Sequence, residues 1–177
     1  LFEGDEAPEA SASISAVPVQ PLSDIMAKAH LDFKDPGEIY MMAIPEDTWT
    51  AWGMSDDLVY DYVLSNGEYK SVLYVNSQTG ADYMIDDLDP ETSYRVFVAG
   101  SNKFGMSTWA QTTVTTEPEP SFTSLGKGNY HDWFRNAFGE KGNHSEVEIL
   151  KASTTPERYR VMAPYKEFWA ANDGEFS

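Results

Sequence analysis

The 177-residue chain contains no cysteine, so disulfides, thiolate metal centres and a cysteine nucleophile are all excluded. It has few basic residues: 12 Lys and Arg stand against 29 Asp and Glu, for a net charge of -17. A surface of that sign repels polyanions, which argues against nucleic acid and against charge-driven binding to anionic membranes. No stretch approaches the run of roughly 20 apolar residues that a membrane-spanning helix needs, so no transmembrane segment is expected. The first residues, Leu1 to Glu6, offer no initiating Met, basic region or apolar region. They read as a processed start, which places any export or lipid-anchor signal upstream.

Several chemical signatures are also missing. The three histidines, His30, His131 and His144, lack metal-ligand spacing in sequence, and no His-Glu-x-x-His occurs. His131-Asp132 has no serine in a Gly-x-Ser-x-Gly elbow to serve. Gly126-Lys127-Gly128 is too short to cradle phosphate. The acidic run Asp86, Asp87, Asp89 and Glu91 lacks EF-hand spacing and reads as a solvated turn rather than a calcium loop. The same applies to Asp56, Asp57 and Asp61, which suit a helix start. No catalytic residue, metal or cofactor is assigned, and the expectation is a protein without enzymatic activity.

What is present is a hydrophobic fraction of 41% with 14% aromatics, ample for packed cores. The charge is uneven, because 21 of the 29 acidic groups but only 5 of the 12 basic ones lie in residues 1–120. Two regions of different character follow, joined by the stiff linker 118–120 within Glu117-Pro118-Glu119-Pro120. Residues 1–13 read as a flexible leader, 14–117 as one domain and 121–177 as a smaller β-rich module.

Within the first domain, Ile14 to Val19 suits an edge strand that tolerates Pro18. Ile25 to Phe33 alternates with the period of a half-buried strand, and Asp35-Pro36-Gly37 turns it into Glu38 to Ile44. Pro45 to Gly53 is polar and turn-prone, and is expected to be a loop carrying Trp49 and Trp52. A short helix follows: Ser55 is its candidate N-cap and Asp56 and Asp57 its first turn. Leu58, Val59, Tyr62 and Val63 share a face, and Asn66-Gly67 ends it. Lys70 to Val75, Ala81 to Ile85, Tyr94 to Gly100 and Thr108 to Thr116 complete a set of short strands, for which a mainly all-β sandwich is the natural solution.

Leu88, Pro90, Thr92, Tyr94, Val96, Val98, Asn102, Gly105 and Ser107, with Val114 and Thr115, resemble the second half of a fibronectin type III domain. The resemblance implies an immunoglobulin-like β-sandwich over residues 14–117 in which the Tyr94 hydroxyl bonds back to upstream backbone. It also implies that Leu31 or Phe33 stands where that family places a tryptophan. The inserted helix is foreign to the plain fold.

In the second region Leu125 to Tyr130 reads as a glycine-rich turn and Asp132 to Phe138 as a helical turn. Ser145 to Lys151 and Arg158 to Ala163 read as a hairpin across Thr154 to Glu157. Tyr130, Asp132, Val147, Glu148, Ile149, Tyr159, Arg160, Pro164 and Tyr165 resemble a module of surface lipoproteins from gut anaerobic Gram-negative bacteria. That resemblance implies an exported protein, at the bacterial cell surface or in the periplasm and anchored to the outer membrane, and a module that continues past this chain.

Aromatics are the best lead to function. Trp49 and Trp52 either stack against the face of a sugar or a protein partner, or cover the inserted helix and its sheet. Tyr130, Trp133, Phe138, Tyr165 and Trp169 exceed what so small a region buries easily, which points to an interface. Three roles stay open: a glycan- or protein-binding or spacer module, an assembly module docking through that aromatic region, and an accessory domain of a glycan-degrading enzyme.

Overall fold

The computed structural model describes residues 8–20, 23–71, 80–133, 137, 139, 144–154 and 157–167, and the chain divides into two compact units, Leu1–Glu119 and Pro120–Ser177. In the first unit β1 (Ala12–Pro18), β2 (Ala27–Phe33) and β5 (Ala81–Ile85) form an antiparallel sheet in the order β1-β2-β5. Four strands form the other sheet in the order β4-β3-β6-β7: β3 (Pro36–Pro45), β4 (Glu68–Lys70), β6 (Ser93–Asn102) and β7 (Ser107–Thr115). Helices α1 (Glu46–Trp52) and α2 (Asp56–Asn66) lie between β3 and β4 in the chain. This is an all-β sandwich with a helical insertion. Of the strand expected over 70–75, Lys70 belongs to β4, and 72–79 lie outside the described residues.

The register of β3 against β6 explains why both strands are apolar at nearly every position. Successive side chains alternate between the two faces of a sheet. Ile39 and Met41 of β3 and Tyr94, Val96 and Val98 of β6 point between the sheets, where they meet Ala27, Ala29, Leu31 and Phe33 of β2. Leu31 and Phe33 both fill this core. Tyr40, Met42 and Ile44 with Phe97 and Ala99 point the other way, into a second core roofed by Trp49 of α1 and Val59 and Val63 of α2. The larger sheet is therefore buried on both faces, and the helices form a third layer over it.

The run from Leu88 to Gly105 closes the sandwich. The Tyr94 hydroxyl accepts the Asp89 N–H at 2.8 Å, and burial pushes its pKa above the usual phenol value. Thr116 Oγ1 accepts the Thr92 N–H at 2.9 Å and donates to the Asp89 carbonyl at 2.6 Å. Asn102 is buried and its Oδ1 accepts the N–H groups of Phe104 and Met106 at 3.0 and 2.9 Å, which turns the chain into β7. Tyr94→Phe leaves the Asp89 N–H without its acceptor, and a loss of about 1–3 kcal/mol is expected in urea unfolding. A change below a few tenths of that would show that the hydroxyl is not what holds the corner.

The second unit differs from its expected form. Phe122–His131, part of which read as a glycine-rich turn, is a ten-residue strand, β8. It pairs antiparallel with β9 (His144–Ala152), which pairs in turn with β10 (Tyr159–Val161). The glycines serve the strand rather than break it. Gly126 has φ +111° beside a register shift after Ser124, the backbone a bulge needs. A Cβ on Gly128 would meet Ile149 Cδ1 at 2.8 Å. The expected helical turn at 132–138 falls largely outside the described residues.

Candidate functional site

Trp49 and Trp52 lie on α1, not on a loop. Pro45 sets the entry, Glu46 and Asp47 occupy the first turn where the helix dipole favours carboxylates, and Gly53 ends the helix at φ +59°. The helix is fixed to the sheet at its first residue, where Arg95 of β6 forks onto Glu46: Nε donates to Oε2 at 2.8 Å and Nη2 to Oε1. This hydrogen bonding raises the Arg95 pKa still further. One turn on, Trp49 is buried at 7% exposure with its ring centroid 4.5 Å from that of Phe97. It is the roof of the second core and presents no face to a ligand, the covering role that was one of the two open for the pair.

Trp52 is the ring that remains accessible, at 47% exposure. It packs edge-to-face on Trp49, with centroids 6.3 Å apart, and on Tyr62 of α2, with centroids 5.5 Å apart. Two aromatic contacts from different helices set the angle of an exposed indole. On α2, Val59 and Val63 are buried one turn apart, whereas Leu58, expected on the same face, is 53% exposed. Ser55 occupies the N-cap position with extended backbone, but its hydroxyl makes no capping hydrogen bond.

Around the Arg95–Glu46 pair the surface has two open, shallow depressions. One, of about 290 Å³, is lined by Arg95, Gln111, Thr112 and Thr113. The other, of about 380 Å³, is lined by Glu46, Asp47, Glu91, Thr92 and Ser93. Both are polar. The shifted carboxyl groups sit elsewhere, in exposed ion pairs. Asp82 is held below the usual carboxylate range by its bonds to His30 Nδ1 at 2.7 Å and Lys28 Nζ at 3.1 Å. Glu157 is lowered by Lys151 and Tyr159. In the acidic run 86–91, Asp89 is engaged by the Tyr94 hydroxyl, and Asp87 and Glu91 have φ of 53° and 49°, as turn residues. Among the described residues, no group of three or more His, Asp or Glu side chains could hold a metal ion.

In the second unit Tyr130 and Tyr165 meet, hydroxyl to hydroxyl at 3.1 Å with rings edge-to-face at 5.6 Å. Trp133 is 74% exposed. Phe138 and Trp169 lie outside the described residues. A pair that sequence spacing did not disclose is His131 and His144, which stand opposite each other across β8 and β9 with rings stacked 4.0 Å apart. The signal was pairing rather than spacing, and it required reading Phe122–His131 as a strand.

No protein-family model matches the chain, and neither a curated protein nor a solved structure is similar enough to match it.

Proposed function

We propose that the chain is a non-enzymatic binding module of an exported bacterial surface protein, built on a fibronectin type III-like sandwich and contacting a glycan or protein partner through Trp52. The observation that carries this reading is the half-exposed Trp52 indole braced at a fixed angle by Trp49 and Tyr62. A flat ring whose orientation is set before binding loses little conformational freedom when a sugar face stacks on it. The three-on-four arrangement of sheets and the Tyr94–Asp89 closure support the family reading. The surface-lipoprotein setting, with its lipid anchor upstream, rests on the resemblance of the second unit alone. Trp52→Ala is expected to abolish binding on a glycan array while moving the urea midpoint little, by under about 1 kcal/mol, because the ring is half in solvent. Unchanged glycan binding by that variant, or none by the parent chain, would sink the carbohydrate form of the proposal.

A second reading is an assembly role for the second unit, favoured by the exposure of Trp133. Light scattering of the chain and of Trp133→Ala distinguishes them: self-association lost in the variant supports assembly, and a monomer in both removes it. A role as accessory module to a glycan-degrading enzyme is the same Trp52 surface serving a catalytic partner, and the reading frame around this chain decides it.

A further inference from the structure

We propose that His131 and His144 form a two-imidazole site for a first-row transition-metal dication of the zinc, nickel or copper type. The two residues are direct partners in the β8–β9 register, the last pair before the chain leaves β8 at residue 132 and returns at His144. Directly opposed side chains on one sheet face have Cβ atoms about 4.5–5.5 Å apart, within reach of a shared ion. Both side chains are exposed, and their rings are already face to face, 4.0 Å apart and inclined by only 13°. Nitrogens bound to one metal at about 2.0–2.1 Å each lie roughly 3 Å apart. The coordinating lone pairs lie in the ring planes, so the stacked rings have to rotate from their 13° inclination to a steep angle for both nitrogens to converge on one ion, a motion that two exposed side chains can make.

The donor set selects the cation. Imidazole nitrogen suits zinc, copper and nickel, whereas calcium and magnesium take oxygen ligands. Because the sheet holds both ligands in place, the second metal–nitrogen bond forms at high effective concentration. Two residues along on the same face, Glu146 supplies a negative charge, which at present receives Lys127 Nζ at 2.6 Å. Water completes the coordination. His30, the third histidine, belongs to the first unit, where it is bonded to Asp82. A bound ion would join the open ends of β8 and β9, so it stabilises the hairpin by mass action.

The test uses the full chain, stripped of metal and titrated with nickel or zinc by calorimetry in excess magnesium, which occupies surface carboxylates. One ion per chain is expected, with affinity reduced at least about tenfold in His131→Asn and in His144→Asn and unchanged in His30→Asn. Copper(II) bound to the parent chain should show two equatorial imidazole nitrogens by electron paramagnetic resonance. Ring resonances of His131 and His144, but not His30, should shift with zinc in nitrogen-15 spectra, a readout that needs no variant to fold. Equal binding by the double variant, dependence on His30, one nitrogen or none on copper, or no saturable binding would each overturn the site.

Discussion

Trp49→Ala is expected to lower the stability of the first unit by about 3–5 kcal/mol, the range for truncating a buried tryptophan. A domain of ordinary stability has only about 5–15 kcal/mol in hand, so the variant would be close to unfolding. The size follows from what the indole does. It fills the space between Phe97 and the helices at 7% exposure, and Ile44, Val59, Val63 and Ala99 share that space. Helix α1 is only seven residues long, far below the ~12–15 residues at which an isolated helix becomes marginal in water. It is held by the Arg95–Glu46 fork at one end and by Trp49 in its middle, and a part-exposed ion pair of that kind is worth on the order of 1 kcal/mol, well below the indole's contribution. Without the indole, α1 has too little to keep it helical. Trp52 then loses its brace as well, so ligand binding should fall together with stability. Far-UV circular dichroism against urea measures the first effect. Trp49→Phe, which keeps an apolar ring at the site, should recover a good part of both. A loss under about 1 kcal/mol would mean that the helices do not depend on this contact.

The contrast between the two tryptophans shows where the sequence was legible. The sandwich was, because β2 buries every second residue and Tyr94, Pro90 and Gly105 mark a corner with local chemistry. The third layer was not, although its trace is present. Phe97 and Ala99 sit at positions that a one-sided sheet would give to polar residues, and Tyr40, Met42 and Ile44 do the same in β3. An apolar residue on the outward face requires a cover, and the nearest segment in the chain is 46–66. That segment also carries the marks of two helices, Glu46 and Asp47 after Pro45 with Gly53 beyond, and Asp56 and Asp57 before Val59. The second of these helices was expected from its caps; for 45–53, polarity rather than the flanking Pro45 and Gly53 led to the expectation of a loop. For the second unit the obstacle was glycine: Gly126 and Gly128 look like a turn in one dimension, and only the pairing partner shows that one makes a bulge and the other makes room for Ile149. The His131–His144 juxtaposition inherits that difficulty, since no spacing rule encodes a cross-strand neighbour thirteen residues away.

Gly100→Ala is the second substitution expected to have a large effect, and it tests the β3–β6 pairing on which both cores depend. Gly100 faces Ile39 across the two strands, just inside the irregularity between Pro36 and Glu38. A Cβ there would overlap the Glu38 carbonyl oxygen outright and lie 3.0 Å from the Glu38 carbonyl carbon and 3.1 Å from the Ile39 Cα. All three atoms are backbone, so no rotamer change relieves the clash. The strands must separate or β3 must shift, and both residues flanking the site on β6, Ala99 and Ser101, pair with β3 through the same ladder. Overpacking of a close-packed site typically costs about 1–3 kcal/mol when side chains can yield. With backbone as the obstacle the expected loss is at the upper end of that range or beyond it. Alanine would otherwise gain about 0.5–1 kcal/mol over glycine in a strand interior. The sign of the measured change therefore decides between the two effects. Amide hydrogen exchange should speed up at Ile39 and Gly100 before it does in β1 or β5, because the damage starts where the two backbones meet. A neutral or stabilising Gly100→Ala would mean that β3 and β6 stand further apart at this point, and that Val98, two residues along, is less tightly held between the sheets.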